Sequence, residues 1–475
     1  MSQYLKRLVF PLAKSYALGF LGEKNIGERL EGTLESRLSA GANTGVGKKL
    51  GLSTSSRFSK VPLTSYGFYK QFFDSPNEGD FLYPLSDYIR VTTSGTMGKP
   101  KSYLLPKSGL WDCLKKAGFA SMLVYTHDGE RVTFEVGDIA YTNVPGGSHI
   151  SSFLTDIGSK QNSGLVVQCP DPNLSFDKKV DYFVQNYKSI SFAYMNVTTL
   201  FDQIYPRIGE PIHLKGFVTQ DRSAAILKDE IKKITGNYPK SAYGSTETMK
   251  STIPSIEHPG AFFFDWRILY PEFIPEADAI TGDFGRLDEP PETIKMMDVE
   301  VGKRYQLVAT PFKNDLMRYV MPDIFECVDD GDDVLGSNAP VFAYYARSDR
   351  IIVLHNFTRI SEEELAQVLF DAKIPFIDFT ARREAEGTRD YLTIYVELSK
   401  KMTLEEVAER ADARLFEFDK DWKDLKNFLK YNPLRVRLLP RGSFSRYLAS
   451  QKGLPKVERV EMSDDHLVRL LSGLN

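Results

Sequence analysis

Residues 92–101 read T-T-S-G-T-M-G-K-P-K, so four hydroxyls, two glycines and two lysines follow directly on the strand-like run D-Y-I-R-V. Gly95 and Gly98 let the backbone turn where a side chain would forbid it and let it approach a ligand closely. The hydroxyls of Thr93, Ser94 and Thr96 and the exposed amides donate to oxygen acceptors, and Lys99 and Lys101 add positive charge. A polyphosphate suits such a loop. It is not the G-x-x-x-x-G-K-[ST] loop: with Gly98-Lys99 fixing the register, the first glycine falls on Thr93 and the final hydroxyl on Pro100. On this stretch alone, a glycine-containing hairpin with surface lysines stays open.

Three further stretches have residue types suited to nucleotide chemistry. In S-A-Y-G-S-T-E-T, residues 241–248, Tyr243 can stack on a base and Gly244 permits a tight turn. Ser245 and Thr246 offer hydroxyls there, and Glu247 is the hard oxygen ligand that Mg²⁺ prefers. A polar turn with a capping hydroxyl is the alternative. Residues 305–328 alternate like paired strands with Asp323 after a Met-Pro turn, where a carboxylate can accept from two vicinal ribose hydroxyls or simply sit in a turn. In A-R-S-D-R-I-I, Arg347 and Asp349 stand where the texture of the chain changes, as a hinge or as a charged turn between domains. His149, in N-V-P-G-G-S-H-I-S, faces a pocket or caps a turn, and Phe153 and Leu154 beside it fit an apolar pocket or core packing equally. The six histidines show no metal-ligand spacing on a helix, and there is no G-x-S-x-G elbow.

These stretches need a large scaffold, and 475 residues provide for two or three domains. A net charge of -3 with 26% charged residues argues against a nucleic-acid footprint. Aromatic residues at 12% point to a packed core rather than disorder. Cys113, Cys169 and Cys327 are odd in number and widely spaced, which fits a reducing, cytoplasmic compartment. No apolar run reaches bilayer length. The first residues read as an amphipathic helix lying on the protein, with peripheral membrane contact through Leu8, Val9 and Phe10 the minority reading.

Strand-like runs (D-I-A-Y-T-N-V, S-G-L-V-V-Q-C, K-S-I-S-F-A-Y-M, L-K-G-F-V-T-Q) alternate with helix-like ones (D-K-K-V-D-Y-F-V-Q-N-Y, A-A-I-L-K-D-E-I-K-K-I-T) through the first two thirds. That alternation predicts an α/β fold with layered, mostly parallel sheets, whose ligands collect beyond the strand ends. Beyond about residue 350 the order becomes strand (376–382), strand (391–397), helix (403–429) and strand (434–439), a small α+β domain.

Taken in order, the loop T-T-S-G-T-M-G-K-P-K, the motif Y-G-S-T-E and the segment A-R-S-D-R-I-I resemble three motifs of the adenylate-forming superfamily of acyl-CoA synthetases, adenylation domains and luciferases. Within it the chain is most similar to the Gretchen Hagen family of acyl acid amido synthetases. G-A-N-T-G-V-G-K, I-L-Y-P-E-F-I-P, V-G-K-R-Y-Q-L-V-A-T, D-L-M-R-Y-V-M-P-D, R-G-S-F and Q-K-G-L-P-K-V all resemble stretches of that family. Val46 stands where the family has an aromatic, Pro322 and Ala346 where a glycine is usual, and Val353 and Asn356 where the wider superfamily has lysine and glycine.

The resemblance implies an ATP-dependent, AMP-forming ligase that activates a carboxylic acid as its acyl adenylate and passes it to an amine. Residues 1–348 would form the adenylation domain and 349–475 a mobile C-terminal domain hinged at Asp349. Thr93, Ser94, Gly95 and Thr96 would hold the pyrophosphate end of ATP, and Tyr243 with Gly244 and Ser245 the adenine. Thr246 would touch the α-phosphate, Glu247 would hold Mg²⁺, Asp323 the ribose, and Arg347 the ribose or phosphates. The C-terminal lysine of the family corresponds to Lys452, with Lys456 as rival. His149, from its own place after a strand and a glycine pair, is the candidate to face the acid. A thioester-forming ligase using coenzyme A or a carrier thiol, like phenylacetate-CoA ligases, and a nucleotide-binding regulator without turnover are the alternatives.

Overall fold

A computed structural model of the chain describes residues 3–52, 58–92, 101–143, 165–195, 197, 199–220, 223–348, 352–354, 358–386, 389–418, 422–423, 425–426, 431–451 and 456–472. The alternation in the first half becomes a five-stranded sheet in the order Val166–Cys169, Asp138–Thr142, Phe192–Tyr194, Gly216–Thr219, Pro239–Ser241, with every neighbouring pair parallel. Parallel pairing requires a crossover between strands, and the helices Phe176–Asn186 and Lys228–Thr235 are two of these. Lys228–Thr235 has clear end signals: Asp229 and Glu230 in its first turn, Lys232 and Lys233 in its last, and Gly236 at φ 82° closing it.

The helix Phe119–Tyr125 packs so closely on this sheet that a Cβ at Gly216 would lie 2.0 Å from the Tyr125 carbonyl oxygen. Only glycine fits there, and the contact sets the Tyr125 backbone against the start of the strand Gly216–Thr219. The N-terminal helix Gln3–Leu18 lies on the same region through Phe10 against the Phe134 ring and Lys14 Nζ on the Val132 carbonyl (3.3 Å). Leu8, Leu12 and Tyr16 point to solvent. Among the described residues no helix is long and apolar enough to cross a membrane.

The larger, nine-stranded sheet is built differently. Its main path runs Thr252–Pro254, Phe262–Phe264, Val341–Arg347, Tyr319–Asp329, Arg304–Pro311, Leu269–Pro275, Ile294–Lys295, and all these neighbours are antiparallel. Leu269–Ile274 and Tyr305–Pro311 are buried throughout, because other elements cover both faces. Phe262, Phe264, Phe273, Phe325 and Phe342 form its inner layer. Under it, Arg318 is clamped by Glu272, and it is 1% exposed.

The C-terminal region has its own core. Phe376–Glu386 pairs antiparallel with Arg389–Leu398, which pairs parallel with Leu434–Leu439. The helices Glu362–Asp371 and Leu404–Phe418 contribute Leu365, Leu369, Val407, Ala411 and Leu415 to that core. Ser361 starts the first of them with a capping box: its Oγ accepts from Glu364 N (3.2 Å), and Glu364 Oε2 accepts from Ser361 N (2.8 Å). The second is described to Phe418 rather than to 429.

Candidate active site

The acidic motif forms a small hairpin, Gly244–Ser245 against Met249–Lys250, with Thr246, Glu247 and Thr248 at its turn. Two features close the turn. A Cβ at Gly244 would lie 2.6 Å from the Met249 carbonyl oxygen, and Met249 itself takes φ 57°. Ser245 Oγ accepts from Thr248 N (3.0 Å), and Thr246 is buried at 9% exposure. Asn314 Nδ2 holds the Glu247 carbonyl at 3.1 Å.

The Glu247 carboxylate is met by tyrosine. Tyr103 donates its hydroxyl to Glu247 Oε1 (2.7 Å) and stands 2.8 Å from the Tyr319 hydroxyl. Burial, then the neighbouring Glu247 charge, pushes both phenols far up, so they stay neutral donors. Among the described residues no lysine or arginine pairs with Glu247, and no group of three His, Cys, Asp or Glu is placed to hold a metal ion. A single carboxylate with a hydroxyl support suits a Mg²⁺ that takes its remaining ligands from phosphate and water.

Asp323 lies inside the strand Tyr319–Asp329 rather than in a turn. Between Val320 and Ile324 the strand advances four residues while its neighbour advances two, from Val308 to Gln306. This bulge accommodates Pro322, which has no N–H to give to the ladder, and re-aims the next side chain. Asp323 is 5% exposed, with Tyr243 donating to Oδ2 (2.8 Å) and Tyr344 to Oδ1 (2.9 Å). Tyr243 is 8% exposed, stacked on Phe262 (5.9 Å, 17°) and edge-on to Phe325 (4.9 Å), so its described contacts are the aromatic core and Asp323. Burial first, and the Asp323 charge second, push its phenol well up.

Across the strand pair, Asp323 stands opposite Arg347, and the Pro322 carbonyl accepts from Ser348 N (2.7 Å). The Arg347 backbone ends the strand Val341–Arg347, and its side chain lies outside the described residues. So do Thr93, Ser94, Gly95, Thr96, His149, Phe153, Leu154, Asp349 and Lys452. The strands flanking residues 93–100, Tyr88–Thr92 and Ser102–Pro106, pair as far as Thr92 with Ser102. Tyr103, the residue after Ser102, is the donor to Glu247. Lys101 Nζ lies 5.2 Å over the Tyr66 ring. Lys456 is exposed, and its backbone exchanges two hydrogen bonds (2.7 and 2.8 Å) with the Gln451 side chain.

The hydroxyl donors Tyr103, Tyr319 and Tyr344 were not singled out by the sequence. Tyr103 is 144 residues from Glu247 and 216 from Tyr319, and a tyrosine within an apolar strand carries no local signal of a polar partner.

Residues 262–346, which include Tyr319, Asp323 and Tyr344, match the GH3 family central domain. No curated protein matches this sequence significantly. Among solved structures, the GH3.15 acyl acid amido synthetase in complex with 2,4-DB is similar over 99% of this chain and 97% of its own, with TM-score 0.72 and 16% identity. The 2-hydroxyisobutyryl-CoA ligase in its postadenylation state with 2-HIB-AMP covers 94% and 91%, with TM-score 0.66 and 14% identity. ATP-bound MatB from Rhodopseudomonas palustris covers 81% and 68%, with TM-score 0.52 and 13% identity. The chain therefore has the fold of the GH3.15 acyl acid amido synthetase and 2-hydroxyisobutyryl-CoA ligase structures, and its residues 262–346 match the model of the GH3 family central domain.

Proposed function

We propose that this chain is an ATP-dependent, AMP-forming ligase that converts a carboxylic acid to its acyl adenylate and transfers the acyl group to an amine. One observation carries this reading: the hairpin leading into residues 93–100 is tied by Tyr103 directly to Glu247. The strand pair flanking residues 93–100 and the turn that carries Glu247 thus share a hydrogen bond, which supports assigning both to one nucleotide.

A carboxylate attacking the α-phosphorus approaches an anion, so the protein must supply fixed donors and positive charge where charge accumulates. Ser94, Gly95 and Thr96 are assigned to the pyrophosphate end, with Thr93 beside them, and Thr246 to the α-phosphate. Glu247, oriented by Tyr103, is the residue to hold Mg²⁺, which when bound would neutralise phosphate charge. Asp323 is assigned to the ribose hydroxyls. Tyr243 and Tyr344 fix its carboxylate so that little reorganisation is needed when nucleotide binds. Gly244 and Ser245 are assigned to the adenine side, Arg347 to the phosphates or ribose, and His149 to the acid. Lys452 or Lys456 would come from the region 349–475, turning about Asp349 between half-reactions. The three described cysteines, all free and buried, suit a reducing, cytoplasmic setting.

Pyrophosphate release from ATP with a panel of carboxylic acids tests adenylation. Release dependent on an acid and lost in Glu247→Gln is expected, and the absence of release with every acid would overturn the reading. Adding amino acids or coenzyme A then identifies the acceptor. The likeness to 2-hydroxyisobutyryl-CoA ligase keeps thioester formation as the second reading.

A further inference from the structure

The segment Ala242-Tyr243 separates two environments, since successive residues of an extended chain point to opposite sides. Tyr243 faces the aromatic core and Asp323. Ala242 faces the other way and packs with Tyr125 and Val218, and Tyr194 closes this cluster from the side. Tyr194 ends its strand and Val218 lies one residue from the end of its own, so the cluster sits at the carboxyl ends of the parallel sheet. Ligands of such sheets bind there.

Lys250 sends its ammonium into this second environment. It pairs by backbone with Gly244, three residues beyond Glu247, and its side chain is half-buried. Nζ donates to the Tyr125 hydroxyl and lies 4.5 Å from the centre of that ring. Among the described residues no carboxylate reaches it, and Cys113 Sγ donates only to the Lys250 carbonyl (2.7 Å). A neutral hydroxyl does not compensate an ammonium removed from water, and such a group is strongly attracted to an incoming anion.

We propose that Lys250 receives a second carboxylate on the acid substrate, so that the enzyme selects dicarboxylic acids over monocarboxylic acids of the same skeleton. This rests on the adenylation reading above. The acid's reacting carboxylate faces Thr246 and Glu247, and its far end reaches Lys250 and Tyr125 on the opposite side of the hairpin. A site whose buried polar group is left unmatched by the shorter analogue discriminates strongly against it, here by about a hundredfold.

The test compares kcat/KM for pyrophosphate release with adipate against hexanoate and terephthalate against benzoate, in the wild type and in Lys250→Met and Lys250→Arg. The wild type is expected to prefer the dicarboxylate of at least one pair. In Lys250→Met that preference ratio should fall by at least about tenfold, and Lys250→Arg, which keeps the cation, should retain part of it. A wild type that prefers both monocarboxylates overturns the inference. So does a Lys250→Met that loses both acids of a pair equally while still binding ATP. The absence of release with every acid would instead overturn the adenylation reading. If Lys250→Met does not fold, the wild-type preference and the Lys250→Arg ratio decide.

Discussion

The Arg318 guanidinium beneath the nine-stranded sheet and the Lys250 ammonium at the ends of the five-stranded one are both taken from water, and the protein meets them in opposite ways. Arg318 makes five donations: Nε and Nη2 to Glu272 (3.0 Å each), Nη2 to Thr293 Oγ1 (2.9 Å), and Nη1 to the Ser59 (3.1 Å) and Val61 (2.7 Å) carbonyls. Its donor capacity is filled. Among the described residues Lys250 donates to one hydroxyl, that of Tyr125. A cation whose every donor is used within the fold has nothing left for a ligand and acts on stability. One left with a single neutral partner costs stability and gains it back only when an anion arrives.

The contrast is sharpest if Arg318 is removed. Arg318→Met leaves Glu272 buried without a counter-charge and should lower unfolding free energy by about 3–5 kcal/mol, read from the urea midpoint. Wild-type stability in that variant would break the comparison. Next in size is the effect at the site. Glu247→Gln keeps the shape and the Tyr103 contact but removes the charge, so acid-dependent pyrophosphate release should fall about 10²–10³-fold. Its unfolding should stay within about 0.5 kcal/mol of wild type.

Lys240 sharpens the comparison from the other side. It is 6% exposed, and burial pushes its ammonium down to about 8 against a smaller opposing effect of Asp128. A lysine with its folded pKa below the unfolded value contributes stability above about 10.4, and that contribution is lost as pH falls through about 8. Lys240→Met should therefore be more stable than wild type at pH 7 by about 2 kcal/mol. The gap should close as pH rises towards about 10.4. Thermal unfolding across that range checks it, and an unchanged gap would refute the burial argument. The smallest effect is expected at Tyr344→Phe. Removing one of the two tyrosine donors to Asp323 should raise the KM for ATP severalfold, about 1 kcal/mol.

What the sequence disclosed followed from how locally each feature is determined. The parallel sheet was readable because each strand and its crossover helix lie within one short stretch, as with Gly216–Thr219 and Lys228–Thr235. The antiparallel character of the larger sheet was not, since strands such as Leu269–Pro275, buried on both faces, lose the alternation that usually marks antiparallel pairing. At the site, Glu247 and Asp323 stood out as acids in distinctive settings. The Met-Pro pair before Asp323 read as a turn, and tertiary pairing turned it into a bulged strand. Tyr103 and Lys250 were illegible as site residues because their partners are supplied from 144 and 125 residues away.

Pro322 carries a consequence for binding energetics. Its ring fixes φ and it has no amide hydrogen, so the strand has no regular alternative pairing to relax into at that point. The conformations that Asp323 would otherwise sample are removed when the chain folds rather than when a nucleotide arrives. With Asp323 in the ribose-binding role proposed above, less entropy then remains to be lost on association, and a proline at this position should favour tighter nucleoside binding than a glycine would.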